Sequence, residues 1–261
     1  MTGPGMKTPA SEDGLLPLAR VAIVTGNYGS GKTEVSVNWV LHLARAGVPD
    51  LAIADLDIVN PYFRCREAAE LMSAAGVRVI VPPGEQLHAE LPILVPEIKG
   101  MLQRPDGTAL LDVGGDDVGA RVLASFAGSF GAHEMLQVVN ANRPFTDTVD
   151  GARRIADEIE ASSRLRITGI VSNAHLQDET TLDTILKGAE LARMVARARR
   201  VPLRFVTAPR ELAGRVAAEI PEPVLPIDRR MLPPWKRTGT TTKQGQDRWQ
   251  VLTDAARSRD A

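Results

Sequence analysis

Eight consecutive residues, Gly26-Asn27-Tyr28-Gly29-Ser30-Gly31-Lys32-Thr33, match the phosphate-loop pattern G-x-x-x-x-G-K-[ST]. Glycines let the backbone curl so that successive N–H groups point inward at phosphate oxygens. In such a loop Lys32 reaches the β and γ phosphates, and the Thr33 hydroxyl ligates Mg2+. The ligand this chemistry implies is a nucleoside triphosphate with Mg2+. Glu34 follows directly and extends the candidate binding run.

Two further segments carry acids of the kind a metal-nucleotide site needs. Asp55-Leu56-Asp57 closes the apolar run Leu51-Ala52-Ile53-Ala54. At a strand end one acid can anchor the metal shell while the other faces the γ phosphate, although strand-end aspartates also cap turns. Asp112 ends the run Ala109-Leu110-Leu111 and leads into Val113-Gly114-Gly115. There an acid holds Mg2+ through water and the Gly115 N–H approaches the γ phosphate. Asp116 and Asp117 belong either to the same switch or to a solvated turn. Asn173, after Gly169-Ile170-Val171-Ser172, stands where an amide can read a purine. No N-K-x-D string occurs, which favours ATP over GTP. Arg143, in Asn140-Ala141-Asn142-Arg143-Pro144, is either a phosphate or substrate contact or part of a plain turn.

A phosphate loop works only if a strand delivers it and a helix receives it. Val21 to Thr25 is a short β-rich run, and Lys32 to Ala46 places Val35, Trp39, Val40 and Leu43 on a packing face, stopped by Gly47. Strands are further expected at 51–54, 77–81, 108–112, 135–140, 167–173 and 203–206. Helices are expected at 67–75, 91–102, about 146–162 and 180–199. Strands separated by helices imply a three-layer α/β/α sandwich on a mostly parallel sheet, with ligands at its carboxyl edge. The expected layout is a flexible leader at 1–19, one ATPase domain at 20–235 and a polar tail at 236–261.

The 261 residues suffice for one large domain, and a net charge of −1 gives no bulk attraction to nucleic acid or anionic lipid. Neither a signal-peptide core nor an apolar stretch of membrane-spanning length is present. Cys65 is the single cysteine, which excludes an intrachain disulfide and fits a reducing cytoplasm. His42, His88, His133 and His175 show no metal-ligand spacing.

Taken together, Gly26 to Thr33, Asp55-Leu56-Asp57, Asp112 to Gly115 and Asn173 give a chain that resembles the MinD/ParA/CobQ-like branch of SIMIBI-class P-loop NTPases, over roughly residues 20 to 230. The strings GNYGSGKTE, ADLDIVNPYFR, NANRPFT and PPW resemble an ATP-binding subgroup without an assigned role. The resemblance implies that Asp57 positions the hydrolytic water and that Asn173 faces adenine. Relatives that sandwich ATP in a homodimer carry a lysine after the first loop glycine, where this chain has Asn27. Cluster-carrying relatives have paired cysteines, and Cys65 stands alone.

The leading expectation is therefore a Mg-ATP-dependent switch with slow ATPase activity, serving a partner protein or metalloenzyme. A small-molecule phosphotransferase or ligase is the alternative, with Tyr62 to Arg64, His88, Glu90 and Glu97 lining an acceptor pocket. A non-hydrolysing, ATP-gated binding module is the third.

Overall fold

Alternation along the first strand creates the two faces of the molecule. Val21 and Ile23 enter one buried cluster, whereas Ala22 and Val24 enter the other. The computed structural model describes residues 12–56, 68–81, 91–115, 117–126, 128 and 131–231. Within them an eight-stranded sheet runs β3-β2-β4-β1-β5-β6-β7-β8, every pairing parallel. The strands are β1 (Val21–Thr25), β2 (Leu51–Asp55), β3 (Arg78–Ile80), β4 (Thr108–Asp112), β5 (His133–Val139), β6 (Gly169–Ser172), β7 (Leu203–Pro209) and β8 (Val224–Ile227).

Helices cover both faces, as a parallel sheet buried on each side requires. α1 (Lys32–Arg45) and α2 (Ala69–Ala74) pack one face through Val35, Trp39, Leu43 and Met72. The Trp39 and Phe205 rings meet there at 5.3 Å, tilted by 52°. The opposite face takes α3 (Leu91–Leu102), α4 (Asp117–Phe126), α5 (Val149–Ser163) and α6 (Leu182–Arg199), through Leu102, Phe126, Ala156 and Val195 among others. α7 (Arg210–Glu219) closes a smaller cluster with Ile185, Val206 and Val216.

Central β1 lies between β4 and β5, and the chain leaves it for β2 on one side before crossing to β5 on the other. Such a divergence opens a crevice at the carboxyl ends of the strands. It holds the phosphate loop.

The expected strands and helices are present, with ends displaced by a few residues. α5 starts at Val149 rather than 146, because Thr148 caps it, its hydroxyl accepting from Gly151 N at 3.1 Å. Thr146 is buried in the turn before, donating to the Asn140 carbonyl at 2.8 Å. α4, α7 and β8 lie beyond the sequence reading. So does a 3-10 turn, Glu12–Leu15, inside the expected leader. Buried Leu15 accepts from Trp39 Nε1 at 2.7 Å, and Leu18 N donates to Glu134 Oε2 at 3.0 Å. Glu134, buried, is also bonded by Arg204, whose Nη2 donates to the Leu16 carbonyl at 3.0 Å. Within the expected leader, Leu15 is therefore buried, while Leu16 and Leu18 are held by backbone hydrogen bonds with their side chains exposed. The tail at 236–261 lies outside the described residues. No helix among the described residues is long and apolar enough to cross a membrane.

Candidate functional site

The turn from β1 into α1 depends on backbone angles that side chains disfavour. Gly26, Gly29 and Gly31 have φ of 156°, 74° and 84°. Glycine adopts these without the steric penalty that a Cβ imposes. Ser30 N donates to the Asn27 carbonyl at 3.1 Å, and Val35 N to the Gly31 carbonyl at 3.0 Å, so the loop closes on itself as the helix begins. α1 has no side-chain cap at Gly31. Its first N–H groups therefore face the loop, with the positive end of the helix dipole behind them.

Three walls fix the loop. A Cβ on Gly26 would come within 2.7 Å of the Val138 carbonyl of β5, and one on Gly115 would overlap the Gly26 carbonyl itself. A Cβ on Gly31 would overlap the Asn173 amide. Asn173 is buried at the end of β6, donating Nδ2 to the Ser30 carbonyl at 2.7 Å and accepting from Thr207 Oγ1 at 2.6 Å. Both ends of its amide are engaged, although each keeps capacity for a second hydrogen bond.

The acids assemble on the other side. Asp55 and Asp112 end β2 and β4 as register partners, with 3% and 0% exposure. Adjacent strands lie about 4.8 Å apart, so two carboxylates are buried side by side where like charges are costly without countercharge. Buried Lys32 begins α1 at the same edge. One turn along, the Ser36 hydroxyl lies 2.9 Å from the Lys32 carbonyl and 3.1 Å from Asp112 Oδ1. Ser36 thereby ties the helix carrying Lys32 and Thr33 to the β4 acid. Ser36 and Thr207 carry no signal in the sequence, because a serine or threonine inside an element matches no motif.

The other expected residues are described only in part. Asp57, Tyr62 to Arg64, Cys65, His88, Glu90 and Asp116 lie outside the described residues. Asp117 opens α4 rather than a turn, and Glu97 is exposed on α3. Tyr28 is 76% exposed, its N–H held at 2.8 Å by Asn27 Oδ1. Glu34, expected at the nucleotide, accepts from Arg230 N at 2.7 Å, Met231 N at 2.9 Å and Asn38 Nδ2 at 3.1 Å. Burial raises its pKa against the pull of those bonds. With Asn38, which bonds Asp228 in both directions, it fastens the chain after β8 onto α1.

A basic rim borders the loop. A Cβ on Gly29 would lie 3.5 Å from Arg143 Nε, and Asn27 Nδ2 donates to the Pro144 carbonyl at 3.4 Å. Burial, with the charges of Arg143 and Arg229, pushes the His175 pKa down to about 4, which leaves the ring neutral at pH 7. Arg229 is bound to Asp178 at 2.8 Å and Gln177 at 2.9 Å. Two residues after Arg143, Phe145 is 68% exposed with φ of 70°, a left-handed conformation that costs a bulky residue energy.

The residues present fit a Mg-nucleotide. Thr25 Oγ1 at the end of β1, Ser30 Oγ in the loop and Asn140 Nδ2 at the end of β5 are buried without a hydrogen-bond partner among the described residues. Each such group costs about 1–3 kcal/mol unless something completes it. Among the described residues no three His, Cys, Asp or Glu side chains gather as a metal site. Mg2+ at a phosphate loop needs no such group, since a hydroxyl, phosphate oxygens and waters supply most of its ligands. A separate cleft of ≈ 390 Å3 lies between the β5–α5 loop and α6, lined by Asn142, Asp147, Asp183, Thr184 and Lys187 among others.

No protein-family model matches this chain, and no curated protein does. Among solved structures it is similar to the cell division protein FtsY of Thermotoga maritima, at 19% identity and a TM-score of 0.49, covering 72% of this chain and 61% of that one. It is similar to the signal recognition particle 54 kDa protein of Aeropyrum pernix in complex with GDP, at 18% identity and 0.46, covering 74% and 42%. A nucleotide-binding protein of Archaeoglobus fulgidus in complex with ADP matches at 16% identity and 0.44, covering 82% and 95%. The chain thus spans less than two thirds of the FtsY and signal recognition particle proteins. At these identities, with every TM-score below 0.5, the likenesses carry no argument about this chain.

Proposed function

We propose that this protein is a Mg-ATP-binding ATPase of the MinD/ParA/CobQ-like branch, acting as a slow nucleotide-dependent switch for a partner protein or metalloenzyme. The observation that carries the proposal is the juxtaposition of the Gly26–Thr33 loop with the buried pair Asp55 and Asp112 at one sheet edge. The loop N–H groups and Lys32 hold the phosphates. Thr33, with Asp55 and Asp112 nearby, would hold Mg2+, which would supply charge neutralisation at the phosphates. Gly115 brings the β4 loop against Gly26, where a γ phosphate can order it. Asp57 orients the attacking water, a role that rests on the resemblance. The absence of N-K-x-D after β6 supports adenine, with Asn173 at that edge.

Purified protein is expected to release phosphate from ATP slowly, only with Mg2+, and not after Lys32→Ala. Phosphate release that persists in Lys32→Ala would assign the activity to a contaminant or another site.

The cleft beside the β5–α5 loop favours one second reading, transfer of the γ phosphate to a small polar acceptor. A metabolite that strongly accelerates ADP formation without any protein partner would support it.

A further inference from the structure

Asn27 occupies the loop position at which sandwich-type relatives place a cation for the partner's phosphates. Here its side chain turns to its own chain and donates to the Pro144 carbonyl at 3.4 Å. That contact draws the β5–α5 loop alongside the phosphate loop. Arg143, one residue earlier, lies with Nε 3.5 Å and Cζ 3.7 Å from where a Cβ on Gly29 would stand. The turn that presents it is braced: Arg143 N donates to the Asn140 carbonyl at 3.2 Å, and Thr146 N to the Arg143 carbonyl at 3.2 Å. The Thr146 hydroxyl holds the Asn140 carbonyl at 2.8 Å.

Two arginine charges reach His175, those of Arg143 and Arg229. Arg229 is committed to Asp178 and Gln177. The Arg143 guanidinium makes no hydrogen bond or ion pair among the described residues. A braced, half-buried position for a guanidinium uncommitted among the described residues, next to a phosphate-loop glycine, calls for an anionic ligand.

We infer that Arg143 supplies, within one chain, the cation that neutralises charge developing on the γ phosphate, so that no second subunit is needed to provide it. The inference rests on the Mg-ATP reading above. In the step it serves, a water oxygen bonds to the γ phosphorus as the bond to the bridging β–γ oxygen breaks. That bonding pair leaves on ADP, one water proton stays on the released phosphate and the other passes to solvent. The planar fork of Arg143 donates to the non-bridging oxygens while their charge is greatest. Such cations contribute about 10²-fold or more to the rate.

The test compares wild type, Arg143→Ala, Arg143→Lys and Lys32→Ala by thermal shift and phosphate release. The probes are Mg-ADP and Mg-ADP with aluminium fluoride, which mimics the transferring phosphoryl group. Wild type is expected to be stabilised further by aluminium fluoride than by ADP alone. Arg143→Ala is expected to keep ADP affinity within about threefold, to lose the extra stabilisation and to lose about 10²-fold in kcat. Arg143→Lys, which keeps the charge without the fork, is expected to recover part of both and guards against misfolding of the alanine variant. Mixing Arg143→Ala with Lys32→Ala is expected to restore no activity.

Recovery of activity on mixing would show that Arg143 acts across a dimer and overturn the inference. So would a normal aluminium fluoride response in both Arg143 variants, or a loss confined to ADP affinity. A wild type that shows no response to either probe would remove the Mg-ATP reading itself. The two failures are therefore separable.

Discussion

The side-chain amide of Asn173, at the end of β6, donates a 2.7 Å hydrogen bond to the carbonyl of Ser30 in the phosphate loop. Thr207, on β7, holds the other end of the amide at 2.6 Å. Two neighbouring strands thereby set the loop's conformation before any ligand arrives. Asn173→Ala removes the link, and a buried hydrogen bond of this kind contributes about 1 kcal/mol. ATP and GTP affinities are each expected to fall by up to about tenfold, in parallel, in equilibrium titrations. A loss confined to ATP would assign Asn173 to reading the base instead.

Gly115 and Gly26 approach so closely that a methyl group on Gly115 would overlap the Gly26 carbonyl. Gly115→Ala is expected to destabilise the fold by about 1–3 kcal/mol, as overpacking does, and to displace the loop. Denaturant unfolding with nucleotide titration measures both. Gly214→Ala, where a Cβ meets nothing within 4 Å among the described residues, is the comparison without overlap.

The depressed pKa of His175 has a defined effect on stability. Its folded value is about 4 against 6.5 for the free side chain, so between those values the unfolded chain binds more protons. Stability is therefore intact above pH 6.5 and declines as pH falls toward 4. The contribution is about 3 kcal/mol at most. Subtracting the unfolding profile of His175→Gln from that of wild type isolates it from carboxylates that titrate in the same range. Identical profiles would contradict the burial and the nearby arginine charges.

Glu34 separates a structural acid from a ligand. Glu34→Ala leaves the N–H groups of Arg230 and Met231 without their acceptor. At about 1–3 kcal/mol for each of the two unpaired groups, a loss of about 2–6 kcal/mol is expected, with ATP affinity changed less than about threefold. Unchanged stability with a large loss of ATP affinity would return Glu34 to the nucleotide.

The central part of the fold is legible because its signals are local. Val21 to Thr25, Gly26 to Thr33 and the apolar face of α1 follow one another without interruption, and each demands the next. α4 escapes because Asp116, Asp117 and Gly119 at its start read as a switch turn, although Val122, Leu123 and Phe126 keep helical spacing. β8 escapes because Pro226 argues against a strand, yet the strand sits at the sheet edge and pairs only with β7. In the site, the loop and Asp112 announce themselves by pattern. Ser36 and Thr207 do not, because their roles arise only when α1 meets β4 and when β6 meets β7. The adjacency of Asp55 and Asp112 is likewise a property of register. Neither segment contains information about which strand becomes its neighbour.

Equilibrium binding of ATP to wild type and Lys32→Ala, with and without Mg2+ and with GTP as competitor, tests the central claim most directly. Wild type is expected to bind one ATP per chain in a Mg2+-dependent manner, to prefer it to GTP, and to lose at least about 2–3 kcal/mol of binding in Lys32→Ala, as for loss of a buried charge-assisted contact. Equal affinity in wild type and Lys32→Ala, or no binding by wild type at all, would contradict the assignment of Gly26 to Thr33 as a triphosphate site.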